Sequence, residues 1–451
     1  MQIVIAGCGT VGGTLTEQLS REGHDITVID SNAKNLERVV NLYDVMGVVG
    51  NAASSQVQKE AGIEDAALMI AVTTSDELNL LCCLIAKKVG HCRTVARVRN
   101  YTYNDDVEFI KAEMGLSMII NPAQSTALEL SRLLKYPSAI KVDTFAKGKV
   151  ELLQSKIMRG SPLCDGLIRE ILLKLHVDVL ICAVERGGEV YIPDGNFILK
   201  EGDVIFIVGA PEKANDFFRK IGMNMNQIRC AMIVGGGETP YYLAKQLLSM
   251  KIDVTIIERD KKRCNELSEL LPKALIICGD GTGKDLLQSE GLDYTQAFVS
   301  WLNIDEENVM LSLFVRRQTQ AKLITKIHRV AYKDIISSMD IGSVFYPQNV
   351  TADYISQYIR AMQNTAGSNI ETLYHLIDDK VEAMEFHIHK QSTVVGVPLM
   401  ELRLKKNVLI CVIKRGKRVI TPGGQDMIKI GDRVVVVTTN EGFSDITDIL
   451  E

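Results

Sequence analysis

Nearly one offset runs through the chain. Gly7 recurs as Gly235 and Asp30 as Glu258, each 228 residues later. Gly50 recurs as Gly279, Asn79 as Asn308, Gly195 as Gly424 and Gly202 as Gly431, each 229 residues later. A spacing held through segments of different texture is the mark of a duplicated unit rather than of chance. The chain has 451 residues, enough for about three or four domains. Whatever one half folds into, the other must fold into as well.

The opening stretch of the first half is the more explicit copy. Gln2 to Ala6 are apolar and β-branched with almost no alternation, as expected of a strand buried on both faces of a parallel sheet. Gly7, Cys8, Gly9, Thr10, Val11 and Gly12 then form a G-x-G-x-x-G turn entering a helix. Gly7 is expected to make the tight turn, Gly9 to let a pyrophosphate approach the backbone, and Gly12 to let helix and strand pack closely. The helix N-terminus would offer free N–H groups to the phosphates. Asp30 closes the second strand, where a carboxylate can accept hydrogen bonds from a ribose diol and would repel the 2′-phosphate of NADP.

Helices are expected over residues 32–42, 54–61 and 77–89, and strands over 45–49, 68–72 and 93–98. This alternation calls for a parallel sheet covered by helices on both faces. Asn51, Thr73, Thr74 and Arg97 then fall at or near the carboxyl ends of strands, where such sheets bind ligands. A guanidinium offers planar paired donors, so Arg97 is the expected phosphate contact. Around residue 119 the sheet should end, and Pro122 opens a helix to about Lys135 with apolar positions at Ala127, Leu130, Leu133 and Leu134. After Tyr136-Pro137 the texture turns β-rich, with turns at Lys147-Gly148, Gly187-Gly188 and Pro193-Asp194-Gly195.

The second copy departs from the first at the site. Gly235, Gly236 and Gly237 repeat the turn, but Glu238 and Thr239 follow, and Pro240 stands where the first copy has Gly12. Proline near a helix start is tolerated, since an N–H there has no intrahelical partner. Glu258 repeats Asp30, Leu302-Asn303 replace Thr73-Thr74, and Asp280 supplies an acid near the position of Asn51. The expected fold class is α/β: two Rossmann-like parallel-sheet domains, each followed by a small β-rich α+β domain, as a tandem duplication. The expected limits are 1–136 and 226–365 for the Rossmann domains and 137–225 and 366–451 for the small ones.

Composition excludes several classes. At 46% hydrophobic and 24% charged the chain reads as globular, and its net charge of −5 argues against nucleic acid as a partner. No apolar run approaches the roughly 18–20 residues that cross a bilayer, and no basic leader precedes the first strand, so no signal peptide is expected. The ten cysteines are scattered without C-x-x-C pairs, as expected of thiols in a reducing compartment. His387 and His389, two apart on an expected strand, share a face and read as a solvated strand edge, so no metal ligand is assigned. The rival reading is an NAD-dependent oxidoreductase. It lacks a substrate domain with a placed acid or base, and no catalytic residue is assigned.

GCGTVGG at 7–13, ITVID ending at Asp30, AVTTSDELN at 71–79, ARVR at 96–99 and the tandem small domains together resemble the regulatory subunits of Trk potassium uptake systems. The modules of that family are called regulator of K⁺ conductance domains, and the resemblance covers essentially the whole chain. It implies a non-catalytic regulator at the cytoplasmic face of the membrane, partnered with a K⁺-translocating subunit of the TrkH/TrkG kind. It implies rings of such domains, eight from a tetramer of tandem chains, moved through the segments after Pro122 and Pro347. It implies NAD(H) and/or ATP or ADP as regulatory ligands. They would be held at Gly7 to Val11, Asp30, Thr73, Thr74 and Arg97, and in the second copy at Gly235 to Thr239, Glu258 and Asp280.

Overall fold

The computed structural model describes the chain apart from residues 101–102, 104–105, 136–140, 146–148, 223–227, 330–334, 337–338, 365–369, 378–379 and 441. The expected turn at Lys147-Gly148, the change of texture at Tyr136-Pro137 and the expected limits at 136/137, 225/226 and 365/366 lie outside the described residues. Contacts divide the chain into two compact units, Met1–Ser131 with Arg229–Ser356, and Arg132–Ile228 with Gln357–Glu451. The chain thus sorts its segments by kind. Both parallel sheets lie in the first unit and both antiparallel sheets in the second.

In the first unit, strands β1 (Gln2–Ala6), β2 (Asp25–Asp30), β3 (Met46–Val49), β4 (Leu68–Ala71), β5 (Arg93–Arg97) and β6 (Met118–Ile120) pair in the order β3-β2-β1-β4-β5-β6. All of these pairings are parallel. The order reverses beside β1, and that crevice is where such sheets take ligands. Between the strands run α1 (Thr10–Arg21), α2 (Ala33–Tyr43), α3 (Ser55–Glu60), α4 (Asp76–Val89) and α5 (Val107–Glu113), and α6 (Pro122–Lys135) follows β6. Each of α2, α3 and α4 starts on a side-chain cap, from Asn32, Ser54 and Ser75 respectively. The strands are buried because their residues are apolar on both faces: β4 is buried throughout and β1 at all but Gln2. The apolar positions expected on α6, Ala127, Leu130, Leu133 and Leu134, are all buried.

In the second unit, β7 (Lys141–Phe145), β8 (Val150–Lys156), β9 (Leu180–Arg186), β10 (Glu189–Tyr191) and β11 (Val204–Gly209) form a sheet in the order β10-β9-β11-β8-β7. The turn between β9 and β10 is Gly187-Gly188, with φ of +61° and +84°, which side chains rarely adopt. Two helices that the β-rich texture hid, α7 (Ile168–Leu175) and α8 (Pro211–Lys220), accompany this sheet.

The pattern then repeats. β12 (Cys230–Val234), β13 (Asp253–Glu258), β14 (Leu275–Cys278), β15 (Ala297–Ser300), β16 (Lys322–Lys326) and β17 (Ser343–Phe345) pair in the order β14-β13-β12-β15-β16-β17, the counterpart of the first sheet. Their helices are α9 (Glu238–Ser249), α10 (Lys261–Leu270), α11 (Lys284–Ser289), α12 (Asp305–Gln318) and α13 (Pro347–Asn364). In the second unit, β18 (Ile370–Leu376), β19 (Val381–His387), β20 (Val408–Arg415), β21 (Arg418–Ile420) and β22 (Arg433–Thr438) pair in the order β18-β19-β22-β20-β21. This corrects the expectation of a strand edge at His387, because β19 lies between β18 and β22. Phe145, Cys182 and Phe206 of one small sheet share a core with Leu376, Cys411 and Val437 of the other. Burial pushes the Cys411 thiol well above its ordinary range. Among the described residues no helix is long and apolar enough to cross a membrane.

Candidate nucleotide site

The glycine turn of the first copy has the strained geometry its residues allow. Gly7 sits at φ +107°, and a Cβ there would lie 3.1 Å from the backbone of Val72 and Thr73. A Cβ on Gly12 would lie 1.8 Å from the Gly7 carbonyl oxygen, so only glycine lets α1 approach β1 this closely. A Cβ on Gly9 would meet nothing within 4 Å. Protein packing therefore makes no demand for glycine at Gly9, and the open space in front of the helix N-terminus suits an approaching anion. In the second copy Gly235 repeats the turn at φ +109°, Gly237 is as open as Gly9, and Pro240 is accommodated as the third residue of α9.

The strand-end acids hold these turns. Asp30 accepts hydrogen bonds from the backbone N–H of Cys8 at 2.6 Å and of Asn32 at 2.7 Å. Glu258 accepts from Gly236 at 2.6 Å and Asp260 at 2.8 Å. Each acid is thereby positioned at the turn, as a ribose-binding carboxylate must be. Asn51 and Asp280 occupy matching local turns, accepting from the N–H of Ala53 and of Thr282, both at 3.0 Å. The Thr282 amide and hydroxyl hold the Asp280 carboxyl below its usual range.

The far side of each crevice is organised by a buried asparagine. Asn79 Oδ1 accepts from the Thr73 N–H at 2.7 Å, and its Nδ2 donates to the Arg97 carbonyl at 2.9 Å. Asn308 does the same for Leu302 at 2.8 Å and Lys326 at 3.1 Å. The exchange of Thr73 for Leu302 leaves this clamp intact because the clamp reads backbone. Beside it, Asp76 accepts from the N–H groups of Arg99 and Asn100, and Asp305 from those of His328 and Arg329. Arg97 donates to the Thr73 carbonyl and Arg99 to that of Thr74. Lys326, the counterpart of Arg97, lies 5.7 Å from the centre of the Trp301 ring.

Within this unit a cavity of about 850 Å³ is lined by both copies, a size that suits a nucleotide. From the second copy come Gly235, Gly236, Gly237, Glu238, Thr239, Glu258 and Asp280, together with Asp260, Arg263, Lys326 and His328. The first copy contributes Thr10, Val11, Arg97 and Arg99, and both Pro122 and Pro347 open onto it. Gly7, Cys8, Gly9, Gly12, Asp30, Asn51, Thr73 and Thr74 are not among its lining residues. The candidate residues of the second copy thus converge on one space, joined there by the first copy's Arg97 and Arg99.

Among the described residues the lining carries five buried polar atoms without a hydrogen-bond partner: Arg97 Nε, Thr126 Oγ1, Glu238 Oε2, Arg263 Nη2 and Gln348 Oε1. Buried polar atoms are almost always satisfied in a folded chain, so their gathering here leaves donors and acceptors for a polar ligand. Burial pushes the Arg97 guanidinium down to about 10 and the Lys326 ammonium down to about 8. An incoming phosphate would relieve both. Burial also raises the Glu238 carboxyl, against the pull of Arg263, whose Nη2 lies 3.6 Å from Glu238 Oε1. Arg99, Arg263 and Lys326 escaped sequence reasoning. The one available signal was the match of Arg97 to Lys326 at the repeat offset.

The chain matches the TrkA-N domain model over residues 3–122 and 231–347, and the TrkA-C domain model over 152–222 and 383–451. It is 31% identical to the Trk system potassium uptake protein TrkA of Vibrio alginolyticus, across 100% of this chain and 99% of that protein. It is 32% identical to the protein of the same name from Haemophilus influenzae, across 98% and 96%. A solved structure of the GsuK channel bound to NAD shares its fold, with a TM-score of 0.62 and 17% identity over 97% of this chain and 77% of that one. Two TrkA-N and two TrkA-C segments in alternation, with full-length relatives above 30% identity, place this chain in the TrkA family of Trk-system potassium uptake proteins.

Proposed function

We propose that the chain is a non-catalytic regulatory subunit of a Trk-type potassium uptake system, responding to NAD(H) and/or ATP or ADP. It gates a K⁺-translocating membrane subunit, of the TrkH/TrkG kind, from the cytoplasmic face. Four tandem chains form the working ring, with domain limits at 1–136, 137–225, 226–365 and 366–451. The reading is supported most by one observation, the cavity in which five buried polar atoms lack hydrogen-bond partners beside two glycine-turn helices.

In this reading Asp30 and Glu258 take the ribose hydroxyls, and the amides at the N-termini of α1 and α9 face phosphate oxygens. Arg97 and Lys326 neutralise phosphate charge. Because the cavity is lined by both copies, a ligand that fits one spacing of the two better than another shifts the balance between them by its differential affinity. A coupling of about 1–3 kcal/mol, roughly 5–150-fold, is typical of such devices.

The test is calorimetric titration of the full chain with NADH, NAD⁺, ATP and ADP, alone and with the membrane subunit, beside K⁺ flux measured in vesicles. Saturable binding that changes flux is the expected result. Flux indifferent to every nucleotide would remove the regulatory reading.

A further inference from the structure

Outside the nucleotide cavity, and among the described residues, one cluster of ligating side chains has no counterpart in the other half. On the second small sheet, Glu371, His387 and His389 bring one carboxylate oxygen and two imidazole nitrogens within 4.8 Å of one another. His387 Nδ1 lies 3.1 Å from Glu371 Oε1, and the two rings are 3.8 Å apart between centres.

The backbone builds this convergence. β18 and β19 are antiparallel, with Ile370 opposite Phe386 and Thr372 opposite Glu385, so Glu371 is the extra residue of a β-bulge. A bulge re-aims the side chain it carries, and here the carboxylate reaches His387. Arg433, directly across from His387 on β22, contacts Glu371 Oε2 and donates to Glu385 Oε1 at 3.0 Å. The guanidinium therefore holds one oxygen of Glu371 and leaves Oε1 on the histidine side. Glu385 is 1% exposed and anchors the arrangement from below.

The first copy shows that the fold does not require this cluster. Lys156 pairs with Val204 on β8 and β11 as His387 pairs with Arg433 on β19 and β22. Lys156 thus stands at the His387 position, and Met158, two residues on, at that of His389.

The geometry points to a binding site for one divalent first-row transition ion, Zn²⁺ foremost, held by Glu371, His387 and His389. Two imidazoles and a carboxylate form a donor set that zinc accepts, with a fourth position left to water. An ion about 2.0–2.2 Å from each donor needs the ligand atoms drawn to about 3.5 Å apart. The exposed ring of His389 is free to make most of that adjustment. Arg433 is the outer partner that orients Glu371. Because His389 is exposed and His387 and Glu371 half-buried, the ion exchanges with solvent, and it braces the bulge of β18 against the end of β19.

The experiment strips the full-length protein with chelator and titrates it with Zn²⁺ alone by calorimetry and Co²⁺ alone by visible absorption. One ion per chain is expected, with Co²⁺ showing nitrogen- and oxygen-type bands and no thiolate charge transfer. That distinction matters because ten cysteines offer a rival. His389→Gln, at an exposed position that leaves the metal-free fold intact by circular dichroism, should weaken binding by more than the roughly 10–100-fold typical of losing an outer partner. Glu371→Gln should do likewise. Absence of a stoichiometric ion, thiolate charge transfer, or unchanged affinity in His389→Gln would overturn the site. The contacts of Glu371 with His387 and Arg433 would then stand without a metal.

Discussion

The side chain of Asn79 donates from Nδ2 to the carbonyl of Arg97 at 2.9 Å, tying the N-terminal part of α4 to the end of β5. The same amide accepts from the Thr73 N–H, so one buried side chain closes three segments at the crevice. Asn308 repeats the device around Leu302 and Lys326. Asn79→Ala strands two buried backbone groups, and a loss of about 2–4 kcal/mol is expected. Urea unfolding of wild type and variant measures it; Asn79→Asp, which keeps the acceptor but loses the donor, should cost comparably.

Gly12 and Gly13 separate close approach from simple helix propensity. Gly12→Ala places a methyl against the Gly7 carbonyl and should cost about 1–3 kcal/mol or more. Gly13→Ala meets nothing within 4 Å and should gain up to about 1 kcal/mol, since glycine is a poor helix former. Thermal melts of the two variants should move in opposite directions.

Asp30→Ala and Glu258→Ala report on the two turns independently. Removing a charge-assisted acceptor costs about 1.5–3 kcal/mol, roughly 10–150-fold in affinity. Calorimetry that resolves two classes of nucleotide site should lose one class in each variant. Unchanged affinity in both would exclude the ribose role.

Lys326 makes a pH prediction. Burial holds its amine at about 8 in the folded chain, against an ordinary value of 10.5. Between those values the unfolded chain binds more protons than the folded one, so stability rises with pH from about 8 to about 10.5. Lys322, pushed down to about 7 by burial, adds to the rise from its lower limit. Lys326→Met should raise stability at pH 7 and flatten this slope. A phosphate bound at Lys326 restores the proton, so nucleotide affinity should fall as pH passes 8. Binding enthalpies measured there should depend on the buffer, and Lys326→Met should abolish that dependence.

Catalytic turnover is the outcome that would most damage the regulatory reading. Purified chain incubated with NAD⁺ or NADH and a panel of small hydroxy acids, aldehydes and ketones should give no change in absorbance at the nicotinamide band. Steady oxidation or reduction with any of them would restore the oxidoreductase.

Some of this molecule is written in short-range terms. A strand buried on both faces needs continuous apolar residues, a tight turn into a helix needs glycine, and an acid must follow at the end of β2. The constraints act within about thirty residues, so Gly7, Gly12 and Asp30 could be assigned their places from the chain alone. The repeat offset extended those assignments to Gly235 and Glu258. It carried the fold of one half to the other, and it anticipated that Pro240 would sit near a helix start.

Other features depend on which surfaces meet. Arg97 lines a cavity with Gly235 and Glu238 because the two parallel sheets belong to one compact unit, a pairing of segments more than a hundred residues apart. Lys326 acquires its depressed ammonium from burial over Trp301, and an isolated strand-end lysine carries no hint of it. His387 was expected at an edge and lies within a sheet, where a bulge at Glu371 turns a carboxylate toward it. Local backbone chemistry determined the turns and the strand-end acids. Tertiary packing decided the cavity, its unpartnered polar atoms and the histidine cluster, because burial and convergence belong to surfaces brought together from distant parts of the chain.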